Sequence, residues 1–168
     1  LFDSNQDGML DSNDTIAIVG AVSNGNVIAL DGRTGKEIWR RDDLAANGNI
    51  VGSLINIDGD TNSEFVFVQA TSNKLVALNS DGSTRWISTD SVSDRSNLYN
   101  AVYPTDLEND GHYELMFGPS VFNSNGELLW QFPLSTETNG FADQGNSMAV
   151  DLDLDGYKEV LYYNQVRN

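Results

Sequence analysis

The sequence predicts an all-β fold of the β-propeller class, about three and a half four-stranded blades long. Three observations carry this: an acidic nine-residue window that occurs four times, strand-forming runs around it, and a tryptophan set four residues after a turn glycine in three places. Position 5 of the window recurs at Asp7, Asp60, Asp110 and Asp155, at intervals of 53, 50 and 45 residues. Four strands in such a span, with no helical stretch, fit one propeller blade. The 168 residues read as one segment, with blades near 1–45, 46–92 and 93–139 and a partial one at 140–168.

The elements follow in order. Each window is followed by a run rich in strand formers: Thr15 to Val22, Phe65 to Ala70, Leu115 to Phe117, and Val160 to Tyr163. The last three windows are also preceded by such runs, Gly52 to Ile57, Leu98 to Tyr103, and Ser147 to Val150. Then come strand, turn and strand: Val27–Leu30 with Lys36–Trp39, Leu75–Leu78 with Ser83–Trp86, and Val121–Phe122 with Glu127–Trp130. The turn glycines Gly35, Gly82 and Gly126 supply the positive φ that such hairpins need. The tryptophans are expected to fill the wedge between neighbouring blades. The first unit lacks a strand before its window, and the fourth is expected to stop after its second strand.

The windows carry the chemistry. They place oxygen-bearing side chains at positions 1, 3, 5 and 9: Asp3, Asn5, Asp7, Asp11; Asn56, Asp58, Asp60, Glu64; Asp106, Glu108, Asp110, Glu114; and Asp151, Asp153, Asp155, Glu159. Position 7, where a backbone carbonyl can face an ion, is Met9, Asn62, His112 and Tyr157. Fourteen of the 25 acids fall in these windows, too many for a randomly solvated surface. Ca2+ takes six to eight hard oxygens, and a curled loop turns alternate side chains toward one point. Without a cation the gathered carboxylates repel. Up to four Ca2+ sites are therefore expected. The second is expected to be weakest, because Asn56 holds position 1 and Thr61 replaces the position-6 glycine of the other three. In the first, Asp14 stands where an EF-hand would put its twelfth ligand, but the strand that follows argues against an EF-hand.

Composition narrows the function. A net charge of −16 argues against nucleic acid and anionic membrane surfaces as partners. No apolar run reaches bilayer length, so membrane insertion is not expected. The absence of cysteine removes disulfides, thiolate metal sites and cysteine nucleophiles. His112, the lone histidine, reads as a bystander on its loop. Hydrolase, metalloprotease and nucleotide-binding motifs are missing. The start of the chain shows no signal core, which suggests a removed targeting peptide or a piece of a longer protein.

The acidic loops followed by strands resemble FG-GAP repeats, the integrin-α-type or VCBS-like propeller repeats. The Ala29-Leu-Asp-Gly to Trp39 and Ala77-Leu-Asn to Trp86 segments are similar to the strand-turn-strand portion of PQQ-like propeller repeats. The resemblance implies Ca2+ at positions 1, 3, 5 and 9 of the loops. The expectation is a non-catalytic, calcium-stabilised extracellular or cell-surface module for recognition, adhesion or assembly. Its partner would be a protein or carbohydrate ligand, further copies, or remaining blades of the parent chain. The alternatives are a fragment of a calcium-dependent polysaccharide lyase of the rhamnogalacturonan type and a quinoprotein dehydrogenase fragment. Asp42, Asp43, Asp90 and Asp94 read as solvated connections, and Arg40, Arg41 and Arg95 as surface cations.

Overall fold

The computed structural model describes residues 7–9, 11–22, 24–48, 51–92, 101–132 and 147–162, with the backbone of 165–167. Among them there is no helix, and fourteen strands form four antiparallel sheets. Sheet one contains β1 (Ala17–Ala21), β2 (Val27–Asp31) and β3 (Glu37–Arg41). Sheet two contains β4 (Ser53–Ile55), β5 (Glu64–Val68), β6 (Lys74–Leu78) and β7 (Thr84–Ser91). Sheet three contains β8 (Tyr103–Thr105), β9 (Glu114–Phe117), β10 (Ser120–Phe122) and β11 (Leu128–Gln131). Sheet four contains β12 (Ser147–Val150), β13 (Glu159–Tyr162) and β14 (Gln165–Arg167). In every sheet sequence neighbours are spatial neighbours, the meander expected of a blade.

Strand periodicity explains the packing. Successive side chains on a strand point to opposite faces. On β5, Phe65 and Phe67 join the core shared with sheet one, while Val66 and Val68 join the core shared with sheet three. On β6, Val76 and Leu78 face sheet one, and Leu75 and Ala77 face sheet three. The third core, between sheets three and four, takes Met116 and Val121 against Val160 and Tyr162. Sheets two and three are thus apolar on both faces, which is why β5 reads as a continuous apolar run and not an alternation. Each fully buried Phe, Leu or Val contributes roughly 1.5–3 kcal/mol.

The three outer hairpins share one irregularity. Ala29, Ala77 and Val121 sit opposite Trp39, Trp86 and Trp130, and the register then skips one residue before the turn. The skipped residues are Ile38, Arg85 and Leu129, each exposed. Such a bulge re-aims its neighbours. Trp39 Nε1 donates to Ser80 O at 2.9 Å, and Trp86 Nε1 to Ser124 O at 3.0 Å, each in the turn of the next sheet. The indoles lie on the turn glycines: a Cβ on Gly82 would come within 2.7 Å of Trp39 Cδ2, and one on Gly126 within 2.7 Å of Trp86 Cε3. The tryptophans therefore join one sheet to the next, as wedge-filling residues should.

Three features depart from the sequence reading. Sheet four has a third strand, β14, where the chain was expected to stop after two; Val160 pairs with Arg167 and Tyr162 with Gln165. The strand expected over 98–103 is β8 at Tyr103–Thr105, and 98–100 lie outside the described residues. The strands expected to end at tryptophan run on to Arg41, Ser91 and Gln131.

Candidate metal centre

The four loops share a scaffold. In three of them the position-9 glutamate opens the following strand and turns back to accept the N–H of position 2. Ile57 N donates to Glu64 Oε2 at 3.0 Å, Leu107 N to Glu114 Oε2 at 2.9 Å, and Leu152 N to Glu159 Oε2 at 2.7 Å. Glu64 and Glu159 are only 2% and 4% exposed. The position-5 aspartate accepts the N–H of position 7: Met9 N to Asp7 Oδ1, Asn62 N to Asp60 Oδ1, His112 N to Asp110 Oδ1, and Tyr157 N to Asp155 Oδ1. These local bonds curl the backbone and hold each aspartate in place.

The loops differ in what they do with the remaining acids. In the second, Asp58, Asp60 and Glu64 present oxygens within 4.8 Å of one another. Arg85 Nη1 sits 2.7 Å from Asp58 Oδ2. Asn56 does not present only oxygen: its Oδ1 accepts Gly59 N at 2.7 Å, and its Nδ2 donates to Asp60 O. In the fourth, Asp151, Asp153 and Glu159 come within the same 4.8 Å. Asp151 Oδ2 accepts Gly156 N at 3.1 Å, while Asp151 Oδ1 is buried without a hydrogen-bond partner. A buried, unsatisfied carboxylate oxygen carries a desolvation cost that a cation would offset. The donor set in both loops is carboxylate oxygen, which suits a hard divalent ion.

The third loop has four acids but is not among the trios that the described residues bring together. Its Asp106 carboxylate takes two backbone N–H groups, Asp110 N at 3.1 Å and Gly111 N at 2.9 Å. Burial alone would raise Asp106, yet the N–H groups of Gly111, Asp110 and Asn109 outweigh it and hold it below the ordinary aspartate value. Burial pushes Glu114 and Glu64 above the ordinary glutamate value, against the pull of the Leu107 and Ile57 N–H groups. Loops three and four also hold each other: Lys158 Nζ donates to Asp106 O at 2.8 Å, and Asn109 Nδ2 to Gly156 O at 3.2 Å.

Set beside known proteins, the repeat architecture finds a match over most of the chain. Residues 7–160 match the family of the outer membrane protein assembly factor BamB. The chain belongs to that family. The crystal structure of BamB from Moraxella catarrhalis superposes with a TM-score of 0.54 at 16% identity, covering 94% of this chain and 46% of that one. The V. cholerae biofilm matrix protein Bap1 matches with a TM-score of 0.44 at 18% identity, over 94% of this chain and 32% of that one. The chain thus spans less than half the length of either structure. No curated protein sequence matches it. BamB-family membership bears out the similarity of the strand-turn-strand segments to PQQ-like repeats, and with it a propeller-type all-β fold.

Within this BamB-family chain the expected loop residues fall in three groups. The second and fourth loops gather Asp58, Asp60 and Glu64, and Asp151, Asp153 and Glu159. Glu108 lines a cavity beside Trp130, and exposed His112 donates its backbone N–H to Asp110 Oδ1. Asp3 and Asn5 lie outside the described residues, so the first loop is seen only from Asp7 onward. There Asp11 is exposed, and Asp14 is the buried acid, at 0% exposure, accepting Asp11 N at 2.8 Å. Arg85 and Lys158 were missed by the sequence reading. Arg40 and Arg41 are not solitary surface cations: Arg40 pairs with Glu37, and Arg41 pairs with Asp43 and donates to Gly82 O at 2.7 Å. Arg95 lies outside the described residues.

Proposed function

We propose that this chain is a segment of a larger calcium-stabilised β-propeller, about three and a half to four blades of it, acting without chemistry as a recognition or assembly module outside the cell. The observation that carries the metal reading is the fourth loop, where the buried, unpartnered Asp151 Oδ1 stands beside Asp153 and Glu159. Asp151, Asp153, Asp155 and Glu159, with the Tyr157 carbonyl, would hold the ion in the manner of an FG-GAP loop. The ion would neutralise clustered carboxylates and lock the loop to β13. The second loop would hold an ion through Asp58, Asp60 and Glu64, in competition with Arg85.

Location follows from affinity. Loops of modest charge fill where free calcium is near millimolar, outside the cell. With calcium a hundredfold above its Kd, one site stabilises the fold by about 2.7 kcal/mol. Several such sites would serve a chain without cysteine in place of disulfides. The description of BamB as an assembly factor supports assembly over catalysis, with a protein or carbohydrate surface as partner.

The test is a thermal melt with calcium and with excess EGTA, alongside calorimetric titration. Calcium is expected to raise Tm by roughly 5–10 °C per well-filled site. Identical melts in the two buffers, with no heat of binding, would overturn the metal reading.

A further inference from the structure

Two junctions between neighbouring acidic loops lie wholly within the described residues, and only one of them is clasped. Between the third and fourth loops three hydrogen bonds cross. Lys158, at position 8 of the fourth loop, donates through Nζ to Asp106 O, at position 1 of the third, at 2.8 Å. Its backbone N donates to Leu107 O at 3.2 Å. Asn109, at position 4 of the third loop, donates through Nδ2 to Gly156 O, at position 6 of the fourth, at 3.2 Å. An ammonium seated on a main-chain carbonyl thus closes this junction, with an amide beside it.

Between the second and third loops the same places carry other residues. Position 8 is Tyr113 in place of the lysine, and position 4 is Gly59 in place of the asparagine. Among the described residues none of the three crossing bonds has a counterpart here. A cleft of about 320 Å3 stands at the same place, lined by Asn56, Asp58 and Gly59 on one side and by Gly111, His112 and Tyr113 on the other. The carbonyls that correspond to Asp106 O and Gly156 O are Asn56 O and Gly111 O, and among the described residues neither carries a hydrogen bond.

The charge around the cleft suits a cation. The second loop gathers Asp58, Asp60 and Glu64 against the single guanidinium of Arg85. The chain as a whole stands at −16, which raises the local concentration of cationic groups. Tyr113, 42% exposed, offers an apolar ring along which an alkyl stem can lie.

We propose that this cleft binds a lysine side chain presented by a partner protein, which takes the seat that Lys158 takes at the next junction. The ammonium donates to Asn56 O, Asp58 supplies the opposing charge, and the stem runs along Tyr113. An arginine fits less well, because a guanidinium gains most from a forked pair with a carboxylate. Asp58 has none to give: its Oδ2 pairs with Arg85 at 2.7 Å, and its Oδ1 accepts Asp60 N at 3.1 Å. The seat is built on main-chain carbonyls, so it does not depend on a bound ion. It gives the recognition reading a chemistry, that of a basic partner.

The test titrates the isotope-labelled chain with the peptide acetyl-Gly-Lys-Gly-amide, in calcium buffer and again in EGTA, and follows the backbone amide resonances of Gly59, Gly111 and Gly156. The controls replace the lysine with norleucine, Nε-acetyl-lysine or arginine. The lysine peptide is expected to shift Gly59 and Gly111 with a millimolar dissociation constant and to leave Gly156 in place. Norleucine and acetyl-lysine are expected to shift none of the three, and arginine to bind more weakly. Tyr113→Lys, which copies the Lys158 clasp, is expected to raise Tm and abolish the shifts. The proposal is overturned by equal shifts from the lysine peptide and any control, by Gly156 moving as far as Gly59 and Gly111, or by no shift in either buffer. Binding that persists in a folded Tyr113→Lys chain would overturn it too. Melts with and without calcium bear on the metal reading alone, so the two fail separately.

Discussion

The second and fourth acidic loops show how one template reaches two electrostatic solutions. Both bring three carboxylates within 4.8 Å, and both anchor the buried glutamate on the N–H of position 2. The second then supplies its own cation: Arg85, the bulged residue of β7, reaches back to Asp58. Leu129 holds the bulge place in the sheet of the third loop; among the described residues no ion pair reaches the trio of the fourth loop, and its Asp151 Oδ1 remains without a partner. A fixed guanidinium relieves repulsion at the cost of competing with a metal; an unsatisfied carboxylate oxygen keeps the demand for one. By donor count the third loop would equal the fourth; the two differ in what else already holds their carboxylates.

The largest expected effect is at the shared anchor. Glu159→Ala and Glu64→Ala each strip a buried N–H of its acceptor and open a cavity, costing roughly 2–4 kcal/mol in calcium-free buffer. With calcium, denaturant melts are expected to show a greater loss for Glu159→Ala, because it also removes the binding energy of the better site. Equal losses with and without calcium would erase the distinction between the loops. Next comes Arg85→Met, which frees Asp58: calcium affinity of the second loop should rise roughly tenfold, about 1.4 kcal/mol, seen as a second binding event by calorimetry. An unchanged titration would mean that the arginine does not compete.

A smaller effect separates the loops by backbone alone. Position 4 is left-handed in both, as Gly59 at φ 81° and Leu154 at φ 65°. Leu154→Gly is expected to stabilise by about 1 kcal/mol, while Gly59→Leu destabilises by a similar amount, both read from urea midpoints. The smallest effect lies outside the loops and serves as their control. Arg41 holds the Asp43 carboxyl down to about 2. A depressed carboxylate stabilises above its unfolded value and loses that contribution only as pH falls through its folded one. The pair is solvent-exposed, so Asp43→Asn should move Tm at neutral pH by less than a degree. Loss of stability as the pH falls in an Asp43→Asn chain then reports on the other depressed carboxylates, Asp31 and Asp81 in the hairpin turns and Asp106 in the third loop.

Much of this was legible in the chain because the signals are local and repeated. The apolar runs of β5 and β6, the Gly-to-Trp spacing and the 1, 3, 5, 9 pattern each rest on side chains a few residues apart. What was not legible depends on distance or backbone. Arg85 meets Asp58 across 27 residues, and no short spacing announces that pair. Thr61 marks position 6, where Gly111 and Gly156 are left-handed and the second loop is not, but the left-handed step at position 4 was not legible, because it falls on Gly59 in the second loop and on Asn109 and Leu154 in the others. Asp14, rather than Asp11, is the buried acid of the first loop, because the chain there runs longer before β1 begins. β14 escaped notice because Gln165-Val-Arg167 is too short and polar to read as a strand without β13 beside it.

The indole-on-glycine contact has a consequence for how such a chain grows. Sheets one and two carry a plug on their last strand, and sheets two and three the matching socket in their outer turn, so a duplicated repeat of this kind inserts with both fittings already matched to its neighbours. Lengthening the array then needs no compensating change elsewhere, whereas losing a single socket glycine uncouples everything downstream of it.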